Sequence, residues 1–232
     1  MNPHFALRFT LIPFALAGLG WAATRGEEGP PASSATQPAW KDGVAILGSV
    51  RVNPKTRIVL ADGWVNQVEG AIELLACGKG GKTHESVFVL DVNPLDLQTG
   101  LLLLGLETGT PPTGLGQGPP TGPELDIWVD WEVKGKRRTL PAERFILNVN
   151  TRKPLRHIPW LFTGSVIEDG EFKALAEESL VATYWDPWAI VNIGAPCGTD
   201  DEILYVNTRV VPPLHTPITM RFQPRDRRDR RR

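Results

Sequence analysis

Five consecutive polar residues, Lys82-Thr83-His84-Glu85-Ser86, stand at the entry to the apolar run Val87-Phe88-Val89-Leu90. An imidazole titrates near neutral pH and ligates divalent metals, and a neighbouring carboxylate accepts a proton or a cation. Lys82, His84, Glu85 and Ser86 are therefore candidates for a ligand or metal role. In a hydrolytic reading His84 is the base. Adjacent positions of a strand point to opposite faces, so His84 and Ser86 are expected together, with Lys82 and Glu85 not both beside them. The structural alternative is a turn whose side chains cap nearby backbone.

A second polar cluster, Asp200-Asp201-Glu202, follows Cys197-Gly198-Thr199. Three consecutive carboxylates repel one another and suit a nearby cation, basic residue or helix N-terminus; as a solvated loop they need none of these. Cys77 and Cys197 are the two cysteines. They admit one disulfide or two unpaired thiols. Bridged cysteines hold their Cα atoms about 5.5 Å apart, so a bridge would set the Gly78–Ser86 turn beside Asp200–Glu202. His84, Glu85, Asp200 and Asp201 would then line one pocket. Two thiols are too few for an iron–sulfur cluster, which usually takes four.

The stretch Ala76-Cys-Gly-Lys-Gly-Gly-Lys-Thr83 nearly matches a phosphate-binding loop, with Ala in place of the first Gly. That motif works by leading into a helix N-terminus. Here β-branched and apolar residues follow at strand spacing, so no nucleotide is expected. Trp128, Trp131, Trp185 and Trp188 offer ring faces for a sugar, although most strand tryptophans fill core. Trp128 falls in phase with Asp130 and Glu132, and Trp131 with Ile127 and Val129. No GxSxG, HExxH or CxxC motif is present.

Strands must position these groups. Val44–Val52 and Arg57–Val65 read as a hairpin about Asn53-Pro54-Lys55, with Val50 and Val52 alternating in phase and then Ile58 and Leu60. Ala71–Cys77 and Ser86–Val92 form a second apolar pair around a glycine-rich turn. A helix is predicted over 94–105, with Asn93 at the N-cap, Pro94 at N1 and Gly105 as the stop. Leu97, Leu101 and Leu104 share its face, so burial against the sheet is expected. Residues 107–124 are rich in Pro and Gly and read as a surface loop. Strand signals recur at Leu125–Val133, Arg137–Leu140, Phe145–Val149, Trp160–Ile167, Phe172–Leu175, Leu180–Tyr184, Glu202–Asn207 and Ile218–Phe222, with a short helical turn at Asp186–Val191. The fold class is mainly β (α+β): one β-rich domain of antiparallel sheets or a sandwich, with a buried helix near 94–105.

The N-terminus predicts export. An uncharged apolar run of about 14 residues, Phe9–Ala22, follows Arg8 and ends in the small residues Gly20 and Ala22. This is the pattern of a cleaved signal peptide over 1–22 and falls short of the roughly 20 residues a membrane span needs. Residues 23–39 read as a flexible linker, 40–222 as the domain, and 223–232 as a basic disordered tail. Residues 221–232 hold seven Arg and two Asp. Once Arg8 is also removed, 17 basic and 24 acidic residues remain in the rest of the chain. An acidic body argues against nucleic acid as a partner. The expected location is periplasmic or secreted, with no transmembrane segment in the mature chain.

The residues GGKTHES with the 94–105 segment ending in LLLLG resemble the YdjY-like family of bacterial cell-envelope proteins. Further matches are FTGS at Phe162–Ser165, Asp186-Pro187 with Asn192, DDEI at Asp200–Ile203 and VNTRVVPPLHTPI at Val206–Ile218. The family is largely uncharacterised, so the resemblance implies an envelope location and one domain over 44–222. Some relatives are called ferredoxin-like or lipoproteins, but this chain has neither the cysteines for a cluster nor a lipid-attachment cysteine, so neither label transfers. The resemblance adds weight to a ligand or metal role for Lys82, His84, Glu85 and Ser86. The expected function is binding of a small ligand, a divalent metal ion or an envelope protein. A metal-assisted or His84-dependent hydrolase and a purely structural module are the alternatives.

Overall fold

The computed structural model describes residues 35–225. The expected signal peptide and most of the expected linker and tail lie outside the described residues. Strands β1 (Ala39–Lys41), β2 (Val44–Leu47), β3 (Val50–Asn53) and β4 (Ile58–Val65) form an antiparallel meander. The first expected strand is thus two, because Gly48, at φ +54°, turns the chain. The inward set also differs from expectation. Val50 and Val52 are buried with Val59 and Ala61, while Ile58 and Leu60 occupy the other, half-exposed face. The register Val52↔Val59 sets this phase, and in a strand one residue of slip exchanges the faces.

Next come β5 (Leu74–Cys77), β6 (Ser86–Leu90), helix α1 (Pro94–Leu103), β7 (Glu124–Val133), β8 (Lys136–Pro141), β9 (Ile146–Asn148) and β10 (Lys153–Pro154). They are followed by β11 (Trp160–Phe162), β12 (Ile167–Glu168), β13 (Glu171–Phe172), α2 (Lys173–Glu177), β14 (Ser179–Ala182), β15 (Val191–Ile193), β16 (Leu204–Val206) and β17 (Pro217–Pro224). Helix α1 begins as its sequence signals: Asn93 accepts the Leu95 N–H at 2.9 Å, and Pro94 occupies the first turn. Leu97 and Leu101 are buried, but Leu102 is exposed, so only part of the apolar run faces the core. Gly100 lets the helix lie close on the sheet, since a Cβ there would sit 3.1 to 3.4 Å from Val50, Val52 and Val59.

The expected sandwich is instead a closed eight-stranded barrel, in the order β4-β17-β7-β11-β15-β14-β5-β6 and back to β4. All neighbours are antiparallel except β5–β6 and β14–β15. Two long strands allow closure by changing partners along their length. The first half of β4 pairs with β3, and its second half with β6 at Gly63↔Leu90. Likewise β7 pairs with β11 through Glu124 and Leu125, and with β8 from Trp128 onward. Gly63 makes the closure possible, because a Cβ there would overlap the Val89 carbonyl oxygen. Alternating apolar residues look the same in a sandwich and a barrel, so the pattern alone does not reveal closure.

The core combines Val59, Ala61 and Val65 of β4, Ile127 and Val129 of β7, and Met220 and Phe222 of β17 with Phe88, Phe145, Trp160 and Phe162. Phe88 and Phe145 meet edge to face at 5.2 Å. A smaller cluster of Leu74, Cys77, Val89, Ala182 and Ala189 packs with Trp64. Phe172–Leu175, expected as strand, is split between β13 and α2. The sequence Lys-Ala-Leu-Ala-Glu favours helix, and Ser165 Oγ accepts the Ala174 N–H at 3.0 Å. Residues 186–190 turn without forming a helix. Trp128 shares the outer face with Asp130, and Trp131 packs on the core, as their phase predicts.

Candidate functional site

The turn after β5 runs back outside the barrel and returns the chain, parallel to β5, as β6. Its glycines have a structural purpose. Glu178, left-handed at φ +50°, accepts the Gly80 N–H on its carboxylate at 2.8 Å, and its carbonyl accepts the Gly78 N–H at 2.9 Å. A Cβ on Gly78 would overlap that carboxylate. The phosphate-loop look-alike thus wraps a carboxylate of its own chain.

Thr83–Glu85 is a 3-10 turn rather than the strand expected there. In such a turn residues i and i+3 eclipse, which places Lys82 and Glu85 on one side. The Lys82 Nζ lies 3.2 Å from Glu85 and 3.1 Å from Glu73, the residue before β5. Burial alone would lower the Lys82 ammonium, but the two carboxylates outweigh it and the net effect is upward. Burial pushes the Glu73 carboxyl up against the pull of Lys82. His84 takes the outward position of the turn. Its side chain is 79% exposed, and Nε2 lies 3.7 Å from Glu85.

Ser86 is fully buried, and its hydroxyl donates to the Lys82 carbonyl at 2.7 Å. It is not paired with His84, so these residues do not form a nucleophile and base. The cysteines are free thiols, not a bridge. Burial pushes the Cys77 thiol up to about 11, despite a hydrogen bond with Ser86, and raises Cys197 as well. Two such thiols gain little thiolate at neutral pH.

No disulfide links the two polar clusters, but the segments beside them meet one short stretch of chain: the Trp185 N–H donates to the Gly198 carbonyl at 2.7 Å, and the Tyr184 N–H donates to the Glu73 carbonyl at 3.0 Å. The Tyr184 phenol, past the end of β14, is pushed up by burial and then by Asp201, Glu73 and Asp200, against a smaller pull from Lys82. Gly116, at φ +66°, allows its loop to press on the Tyr184 ring. Asp200 accepts the Glu202 N–H at 3.0 Å, closing a small turn that leaves Asp201 and Glu202 exposed. No group of three or more His, Cys, Asp and Glu side chains converges as a metal site among the described residues.

Behind the rim lies a buried polar tie. Asn192, fully buried, accepts the Asp186 N–H at 2.8 Å and donates to the Asp186 carbonyl at 2.9 Å and to Thr163 Oγ1 at 3.1 Å. Asp186 accepts the Trp188 N–H at 2.8 Å, and burial drives its carboxyl up. These residues explain the FTGS and Asp-Pro segments as braces under the site. Glu73, Tyr184 and Glu178 were not singled out from sequence, and Asp186 entered only as part of the family resemblance. The one available signal was Glu73, an isolated acid in the apolar run Ala71–Cys77.

The fold is therefore a closed β-barrel with a Glu73–Lys82–Glu85 ion triad at the turn between β5 and β6. The YdjY domain matches residues 50–223. The chain belongs to the YdjY domain family. No curated protein and no solved structure matches it. No helix among the described residues is long and apolar enough to cross a membrane.

Proposed function

We propose that this protein is exported to the periplasm or the cell exterior and binds a positively charged group there, without catalysis, at the rim formed by Glu73, Lys82, Glu85, Tyr184, Asp200 and Asp201. One observation carries the reading: Lys82 is held at 3.1 and 3.2 Å between two carboxylates, while backbone hydrogen bonds from Tyr184 to Glu73 and from Trp185 to Gly198 support drawing the Asp200–Asp201 loop toward the same side. Four acids against one lysine leave the rim net negative. A protonated phenol adds a hydrogen-bond donor and an aromatic face, both suited to an ammonium or guanidinium. His84 stands at the exposed edge of the same turn, where an incoming ligand passes it.

An organic cation fits better than a metal ion, because the carboxylates do not converge on one point. Isothermal calorimetry with spermidine and, in parallel, calcium tests the reading. Saturable spermidine binding that weakens at least about tenfold, or 1.4 kcal/mol, in both Glu85→Gln and Asp201→Asn supports it. Heat with calcium alone, or spermidine binding unchanged in both variants, defeats it.

A further inference from the structure

A second charged groove lies on the outer face of β7, where Trp128, Pro141 and Ile127 meet Glu143, Arg144, Arg156, His157 and Arg225. Its volume, about 810 Å³, lies within the range of small-molecule sites. One wall is fixed by the protein itself. Arg225 donates to Asp126 at 2.7 Å and to the Ile158 carbonyl at 3.2 Å, and it lies 3.7 Å from Glu124. These contacts absorb its charge and that of the two acids beside it. Glu143 is buried and accepts the His157 N–H at 3.1 Å, holding the segment that carries Arg156 and His157 against the barrel.

Two cations remain. Neither Arg144 nor Arg156 is engaged by a carboxylate among the described residues. The Arg144 Nε is buried and donates to nothing. A buried donor without an acceptor costs about 1–3 kcal/mol, and a turn of the Arg144 side chain toward the groove would let a ligand oxygen remove that cost. The floor supplies an apolar face, with the Trp128 ring oriented by the Arg221 guanidinium 5.5 Å from its centre. Guanidinium pairs select carboxylate and phosphate oxygens, and indole faces select sugar rings or other flat apolar surfaces.

We propose that the groove between β7, the Pro141–Arg144 corner and the Arg156–His157 segment binds an anionic ligand, a carboxylate or phosphate carried on a ring. This site is separate from the acidic rim and takes the opposite charge. Titration of the purified protein with sodium glucuronate, glucose 6-phosphate and glucose at constant ionic strength tests it, followed by the NMR signals of the Trp128 indole and the Arg144 Nε–H.

Saturable shifts with either anion and none with glucose support the site, and the anion that binds identifies carboxylate or phosphate. Arg156→Gln, on an exposed side chain whose loss spares the fold, weakens binding at least about tenfold. Arg138→Gln, on β8 away from the groove, leaves it unchanged. The proposal is overturned by no saturable shift with either anion, by equal binding of glucose, or by binding that survives Arg156→Gln. None of these results bears on spermidine binding at the rim.

Discussion

Lys82 is the residue on which the rim depends. Two half-buried carboxylates, Glu73 and Glu85, share its ammonium. Removing the ammonium leaves like charges facing each other out of bulk water, a loss far greater than that of an exposed ion pair. Lys82→Met is expected to destabilise the fold by about 2 kcal/mol or more, read as a drop in urea midpoint at pH 7. Adding Glu73→Gln to that variant recovers part of the loss. An unchanged midpoint in Lys82→Met would mean the triad is solvated and not held. Half of this is legible in the residue order. Lys82 and Glu85 were visible as a polar cluster, but strand alternation separated them, and only the 3-10 turn reunites them. Glu73 showed only as an isolated acid in an apolar run and Tyr184 not at all, because their roles arise from neighbours distant in sequence. Cys77 and Cys197 show the reverse case, since an even pair of cysteines permits a bridge that the fold does not make.

At the scale of elements, the long strands were legible and the topology was not. Runs such as Glu124–Val133 and Pro217–Pro224 announce themselves by alternation, and α1 by its cap, proline and stop. Short elements such as β15 and α2 have too few residues for a period. Closure depends on Gly63, where β4 leaves β3 and meets β6. A methyl group there presses on the Val89 carbonyl and the Leu90 Cα, which are backbone and cannot swing aside. Gly63→Ala is therefore expected to cost about 3 kcal/mol or more. Faster hydrogen exchange at Val89 and Leu90 than at α1 would locate the damage at the seam. Wild-type exchange at both places would contradict the closure argument.

Across the whole molecule, the outer barrel face carries a row of paired charges. Arg51 grips Asp62 at 2.7 and 2.9 Å, and Thr219 donates to Asp62 at 2.6 Å. On the next strand Asp130, mostly buried, accepts from Arg137 at 2.6 Å and from Thr139. The Arg51 bond outweighs burial and holds the Asp62 carboxyl below its usual range; for Asp130, burial opposes but Arg137 and Thr139 prevail. Both groups titrate lower folded than unfolded, where aspartate titrates near about 3.9. Their stabilisation is whole above that value and is lost as pH falls through the folded values. Urea midpoints measured below about pH 4 should therefore fall more gently in Asp130→Asn than in wild type. Equal slopes would remove Asp130 from the account.

The central claim is that two loops, one after β5 and one after β15, make a single cation-binding rim. Chemical-shift mapping with spermidine tests it most directly, because it reports location as well as affinity. The account predicts saturable shifts clustered at Glu73, Lys82–Glu85, Tyr184 and Asp200–Glu202, absent from the Arg156 groove. Shifts confined to one loop, scattered over the acidic surface, or missing altogether would contradict it.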